Sequence, residues 1–167
     1  MDVNRSASRA GQHESAQAAR ELIELLEVLW ERGRDMAPTP VSASQLRVLY
    51  SLDREEGINL RTLGELLGSA PPSVSRLCDR MEALGYVRRV PSPVSRRELE
   101  LHLTSRGRAY LKELRERREA ALLEAITTMK PAVRKALLTG LTGFQEALAE
   151  AGHAPVRRRP AGDARSA

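Results

Sequence analysis

The chain has 167 residues, 41% of them apolar, which is enough for one folded domain with a core. Its single cysteine excludes an internal disulfide framework and a cysteine-rich zinc site, and the lack of a long apolar run or a leader pattern predicts a cytoplasmic protein with no membrane partner. A net charge of +5 and a pI near 10.0 favour polyanionic partners. Yet Arg157, Arg158, Arg159 and Arg165 stand against Asp163 alone after Gly152, so residues 1–151 carry only +2 and any affinity of the folded part for a polyanion must come from where charges are placed. Arginine outnumbers lysine by 24 to 3 and alanine is abundant, a composition that suits a bacterium with a GC-rich genome.

Residues 1–13 lack apolar periodicity and are expected to be disordered. A first helix is predicted from Glu14 to Met36, with Leu22, Ile23, Leu25, Leu26, Val28, Leu29 and Trp30 spread over a stripe too wide for one neighbour. Leu60, Leu63, Leu66 and Leu67 then recur at helical spacing until Gly68 stops them. After the turn Gly68-Ser69-Ala70, Pro71 and Pro72 open another helix, where their missing N–H groups cost nothing. One face of that helix carries Val74, Leu77, Cys78, Met81 and Leu84; the other carries Ser73, Ser75, Arg76, Asp79 and Arg80.

Beyond Gly85 the period changes to two. Tyr86 to Val90 and Glu98 to Leu103 read as paired strands, the second alternating without a break. Pro91 to Arg97 is placed in the loop between them because of its two prolines. A long helix follows Thr104, a natural N-cap, and reaches about Lys130 with Tyr110, Leu111, Leu114, Leu122, Ala125, Ile126 and Met129 on its apolar side. Pro131 starts a last helix bearing Val133, Leu137, Leu141, Phe144 and Leu148. Residues 152–167 read as a basic disordered tail. The fold expected is mainly α with a small β-hairpin wing: a winged helix-turn-helix over 42–104 within a domain of 14–151, flanked by dimerisation helices at 14–37 and 105–151.

That order of elements points to double-stranded DNA. Ser73, Ser75, Arg76 and Arg80 have the reach for base edges and phosphates if the second helix enters the major groove. Arg61 and Thr62 can meet phosphate at the start of the first helix of the pair. The hairpin has Arg88, Arg89, Arg96 and Arg97 and no acid between Tyr86 and Arg97, as suits a grip on the flanking backbone. No phosphate loop, nucleophile elbow, carboxylate pair or HExxH motif is present, and His13, His102 and His153 show no ligand spacing. No cofactor, metal or enzymatic activity is expected.

These residues resemble the MarR family of winged-helix transcriptional regulators. The resemblance is carried by Ser44-x-x-Arg47-Val48-Leu49, Leu63-x-x-Leu66-Leu67, Val74-x-Arg76-Leu77-x-Asp79-Arg80-Met81-Glu82, Leu84-Gly85-Tyr86-Val87-x-Arg89, Arg96-Arg97 and Leu103-Thr104-x-x-Gly107. It implies a homodimer with interlocked terminal helices, a repressor rather than an activator, and a palindromic operator with half-sites one turn, about 10 bp, apart. It also implies an aromatic or phenolic effector in a crevice, for which Trp30, Met36 and Tyr50 are the candidates. Relatives that sense oxidants carry the thiol in the first helix, whereas Cys78 falls on the inward face of the recognition helix, where a thiol acts as a small hydrophobe. Two residues depart from the family pattern: Ser95 stands where an aspartate usually orients the second wing arginine, and Ala70 replaces a serine N-cap. Competing readings are an adaptor that uses this fold to bind a protein, and an architectural DNA binder of low sequence preference. Replacing Arg76 separates the three.

Overall fold

Helix propensity carries the amino-terminal segment further than its apolar stripe does. A computed structural model describes residues 2–35, 41–95 and 98–151, and the chain divides into two units, Met1–Ser42 and Ala43–Ala167. The first unit contains helix α1, Asp2–Asp35. Residues 2–13, expected to be disordered, are therefore helical. They contain no proline, and alanine and arginine are strong helix formers, so the helix extends upstream of its apolar stripe. Further along, Gln17 donates to Glu21 and Arg20 to Glu24 across single turns. Leu22, Ile23, Leu25, Val28 and Leu29 of this helix are exposed.

The second unit runs α2 (Ala43–Arg54), β1 (Ile58–Asn59), α3 (Leu60–Leu67), α4 (Pro71–Ala83), β2 (Val87–Pro91), β3 (Leu99–Leu103), α5 (Ser105–Thr127) and α6 (Pro131–Glu150). Its core is aliphatic. Leu49, Leu52, Leu63, Met81, Leu101, Leu103 and Leu111 are fully buried, each contributing about 1.5–3 kcal/mol of transfer free energy.

The strands form an antiparallel sheet in the order β1-β3-β2. Ile58 lies opposite Leu101, Val87 opposite Leu103 and Pro91 opposite Leu99. Strand β1 adds to the expected hairpin; two residues are too few to leave a periodic signal. Pro91 ends β2 instead of starting the loop. Because β2 is an edge strand, a residue without an N–H is tolerated there. The loop is closed by the Ser92 N–H donating to the Glu98 carbonyl (2.9 Å) and the Glu98 N–H donating to that of Ser95 (3.0 Å).

The end of α4, the start of β2, the end of β3 and the start of α5 meet at Thr104. Its hydroxyl donates to the Gly85 carbonyl (2.6 Å) and accepts the Gly107 N–H (3.0 Å), capping α5. Its own N–H donates to the Tyr86 carbonyl (3.0 Å). Gly107 is buried against that carbonyl, and a Cβ at this position would overlap the oxygen. The Tyr86 and Tyr110 rings pack with centroids 5.1 Å apart, and the Arg106 guanidinium lies over Tyr86.

Farther along α5, Arg115 pairs with Asp53 (2.6 Å) and Arg118 donates to the Tyr50 hydroxyl (2.9 Å), tying the helix to α2. Helix α6 buries none of its residues, and Val133, Leu138, Leu141 and Phe144 are exposed. Among the described residues no helix is long and apolar enough to cross a membrane.

Gly107→Ala should destabilise the fold by about 1–3 kcal/mol, since the added methyl forces α5 away from the Tyr86 carbonyl. Urea unfolding followed by circular dichroism reads this directly, and an unchanged midpoint would show that the junction yields freely.

Candidate nucleic-acid interface

Three local devices set the angle between α3 and α4. Asn59 caps α3 by accepting the Thr62 N–H (2.9 Å). At the other end Gly68 adopts φ 61°, which favours glycine, while its N–H donates to Glu65 and the Ser69 N–H to Gly64. Arg47 of α2 closes the same end by donating to the Leu67 carbonyl (3.0 Å). Gly64 is buried at the turn, close enough that a Cβ there would touch the Ser69 carbonyl and Val74.

Helix α4 starts at Pro71 with Ala70 in the N-cap position and no side-chain cap. Ser69 does not supply one, because its hydroxyl turns back to the Leu67 carbonyl. Val74, Cys78 and Met81 are buried and hold the helix on the core. On the outward side, Ser73, Arg76 and Arg80 are exposed and fall within about 60° of the helix circumference at 100° per residue. Neither arginine forms an ion pair among the described residues.

Ser75 does not join this group. It is half-buried and lines a groove between α3 and α4 with Arg61, Glu65, Ser69 and Pro71. Arg61 is exposed and pairs with Glu65 one turn on (3.1 Å), while Thr62 is half-buried with its N–H taken by Asn59.

The hairpin arginines separate by strand alternation. Arg88 is exposed, opposite His102 in the register. Arg89, expected with it as a phosphate contact, faces α4 instead. Its guanidinium donates to Asp79 (2.6 Å) and Glu82 (2.5 Å), its backbone N–H also meets Glu82, and its side chain is 20% exposed. Burial disfavours its charge, but the Asp79 hydrogen bond and the two neighbouring carboxylates outweigh that and raise its pKa above the ordinary arginine value. The signal was present in the sequence. Val87 facing the core sets Arg89 on the same side, and Asp79 and Glu82, three apart, share one flank of α4. Arg96 and Arg97 lie outside the described residues.

His102 has Glu100 at 3.2 Å and Glu56 at 3.7 Å from its two ring nitrogens. Glu56 is also held by Arg108 (2.6 Å). Of the three candidates for an effector crevice, Met36 lies outside the described residues and Trp30 is half-buried on α1. Tyr50 has a packing role, with its hydroxyl bonded to Arg118 and its ring beneath Arg115. Among the described residues no cluster of three metal-ligating side chains occurs.

A sequence profile of the MarR family matches residues 39–98. The crystal structure of RV1404 from Mycobacterium tuberculosis is 33% identical, covering 79% of this chain and 90% of that one with a TM-score of 0.71. The chain belongs to the MarR family. A second relative, the uncharacterized HTH-type transcriptional regulator YfiV of Bacillus subtilis (strain 168), is 26% identical over 111 residues, 66% of this chain and 69% of that protein. The fold is shared with Streptococcus pneumoniae FabT, solved in complex with DNA, at a TM-score of 0.63 and 20% identity over 83% of this chain and 97% of that one. As a MarR-family protein the chain is a DNA-binding transcriptional regulator, not an enzyme.

Within this MarR fold, burial raises the Cys78 thiol from 9.0 to about 11, with nearby Asp79 and Glu82 adding to the effect and Arg89 opposing it. Because the folded value is the higher one, the protonated thiol favours the fold fully below pH 9, and that contribution is lost as pH rises through about 11. At pH 8 a disulfide reagent should therefore label Cys78 slowly in the native protein and rapidly in denaturant. Rapid native labelling would show that the recognition helix opens from the core.

Proposed function

We propose that the protein is a homodimeric, sequence-specific repressor that places α4 in the major groove and the wing on the flanking backbone of a roughly palindromic operator. The observation that carries this is the outward face of α4, where Ser73, Arg76 and Arg80 are exposed together while Val74, Cys78 and Met81 anchor the opposite face. Arg61, Arg88, Arg96 and Arg97 are assigned to phosphates. The DNA-bound FabT, which shares the fold, supports the placement.

The dimer reading rests on exposed apolar side chains. Leu138, Leu141 and Phe144 on α6, and Leu22, Ile23 and Leu25 on α1, are all at least 46% exposed or more in the single chain, a pattern that marks an interaction surface. A second copy offers the same apolar face and brings a second recognition helix, so two-fold symmetry matches an inverted repeat. Binding represses by occluding the promoter. A small aromatic or phenolic effector that favours a dimer with misplaced recognition helices weakens operator binding through linkage.

Two experiments test this. Purified protein is incubated with fragmented genomic DNA at near-physiological salt, since phosphate contacts alone can mimic affinity, and the retained DNA is sequenced for wild type and Arg76→Ala. A few sites sharing an inverted repeat are expected, with Arg76→Ala losing about 1–3 kcal/mol of discrimination. Uniform retention would identify an architectural binder, and negligible retention would favour an adaptor acting through proteins. In sedimentation, the double variant Leu141→Glu with Phe144→Glu should shift dimer to monomer and lose the inverted-repeat sites; a dimer that persists would move the interface elsewhere.

A further inference from the structure

The proposal here concerns how the recognition helix is held relative to the wing, and it rests on the repressor reading above. Arg89 is central to β2, on the strand face that also carries Val87 and looks toward α4. It reaches Asp79 and Glu82 at once, and Glu82 takes the Arg89 backbone N–H as well. Three bonds thus cross from one residue of the edge strand to one flank of the helix.

Asp79 and Glu82 stand, on their side, at a sensitive place. Asp79 lies about 60° around α4 from Arg76 and Glu82 about 60° beyond it, at 100° per residue, so Asp79 borders the DNA-facing surface and Glu82 lies behind it on the flank toward the wing. Unpaired, Asp79 would repel the phosphates that Arg76 and Arg80 attract, and Glu82 would add to the negative field behind it. Both remain substantially exposed, 57% and 41%, so the ion pairs add little to global stability. Their consequence falls on geometry and on the local field.

We infer that Arg89 is a positioning residue for DNA reading: it fixes the angle between the recognition helix and the wing, and it neutralises two carboxylates on that helix, of which Asp79 borders the reading face. It touches no base. Its contribution reaches the operator through Asp79, Glu82 and α4.

The test uses the full chain, an operator duplex recovered from the genomic selection and a scrambled duplex of equal length, each titrated at two salt concentrations. The variants are Arg89→Met, Arg89→Lys, and Arg89→Met combined with Asp79→Asn and Glu82→Gln. Thermal unfolding is measured in parallel. Arg89→Met should melt close to wild type, weaken binding to both duplexes, and lower the ratio of operator to scrambled affinity by about tenfold, the loss of one base contact. The triple variant removes the exposed charges without restoring the clamp, so it should recover scrambled-duplex affinity while the ratio stays low. Recovery of the ratio in the triple variant would overturn positioning in favour of charge alone. An unchanged ratio in Arg89→Met would overturn both parts. Should Arg89→Met fail to fold, Arg89→Lys carries the test: it keeps the charge but holds one carboxylate at a time, so its ratio should fall while scrambled affinity is retained, and an unchanged ratio refutes the inference. Wild type that cannot distinguish the two duplexes refutes the repressor reading itself, an outcome separable from a normal wild type with an indifferent Arg89 variant.

Discussion

The contact between Thr104, Gly107 and the carbonyls of Gly85 and Tyr86 is the constraint on which the rest of the winged-helix unit depends. Four element ends converge there, and each has backbone groups that need partners once buried. Thr104 answers several with one residue: its hydroxyl serves Gly85 and Gly107, and its N–H serves Tyr86. The price of this economy is space, and only a residue without a Cβ lets α5 come so near to the Tyr86 carbonyl. Gly85 itself has φ 73°, so the chain can leave α4 and enter β2 with three residues between them. The position of the wing relative to the recognition helix is therefore set first by backbone, at the root of the hairpin.

Side-chain electrostatics then finish what the backbone begins. The arginines divide into two populations that composition cannot separate. Arg47, Arg89, Arg108, Arg115 and Arg118 are bound to carbonyls, carboxylates or a phenol and join one element to another. Arg76, Arg80 and Arg88 are exposed on α4 and β2. Arginine suits both uses because its planar head makes paired, directed bonds and stays charged when partly buried. Arg89, Arg108 and Arg115 each face a carboxylate, so their charge is cancelled locally.

Periodicity made most of this legible in advance. The spacing of Leu60, Leu63 and Leu67, the proline start of α4, the strict alternation through Leu103 and the Thr104 cap are local signals, and the elements fall where they indicated. The differences have one non-local cause and several local ones. Strand β1 has only Ile58 and Asn59, and its existence is decided by Leu101 and Glu100 far along the chain. Residues 2–13 have no apolar stripe, and their helix rests on propensity. Arg89 was grouped with its neighbours by charge, although alternation from Val87 already turned it inward. Ser75 was grouped with Ser73 by residue type, although two positions along a helix means about 200° of rotation. The Arg96 and Arg97 assignments rest on sequence alone.

Helix α6 extends the same reasoning to assembly. An isolated helix in water is marginal even when its composition is favourable, and most helical stability comes from packing an apolar face. None of the twenty residues here is fully buried, yet Leu138, Leu141 and Phe144 recur at three-residue steps along one side. Such spacing costs solubility unless it is covered. In the proposed dimer the covering surface is the same face of a second copy, and the covering has a functional consequence. Because α5 runs unbroken from the Thr104 junction to the short connection before Pro131, in such a dimer a shift in how two α6 helices pack would reach the root of the wing through a helix 23 residues long. The junction that orients α4 is thus the same point at which a change in dimer packing would be felt.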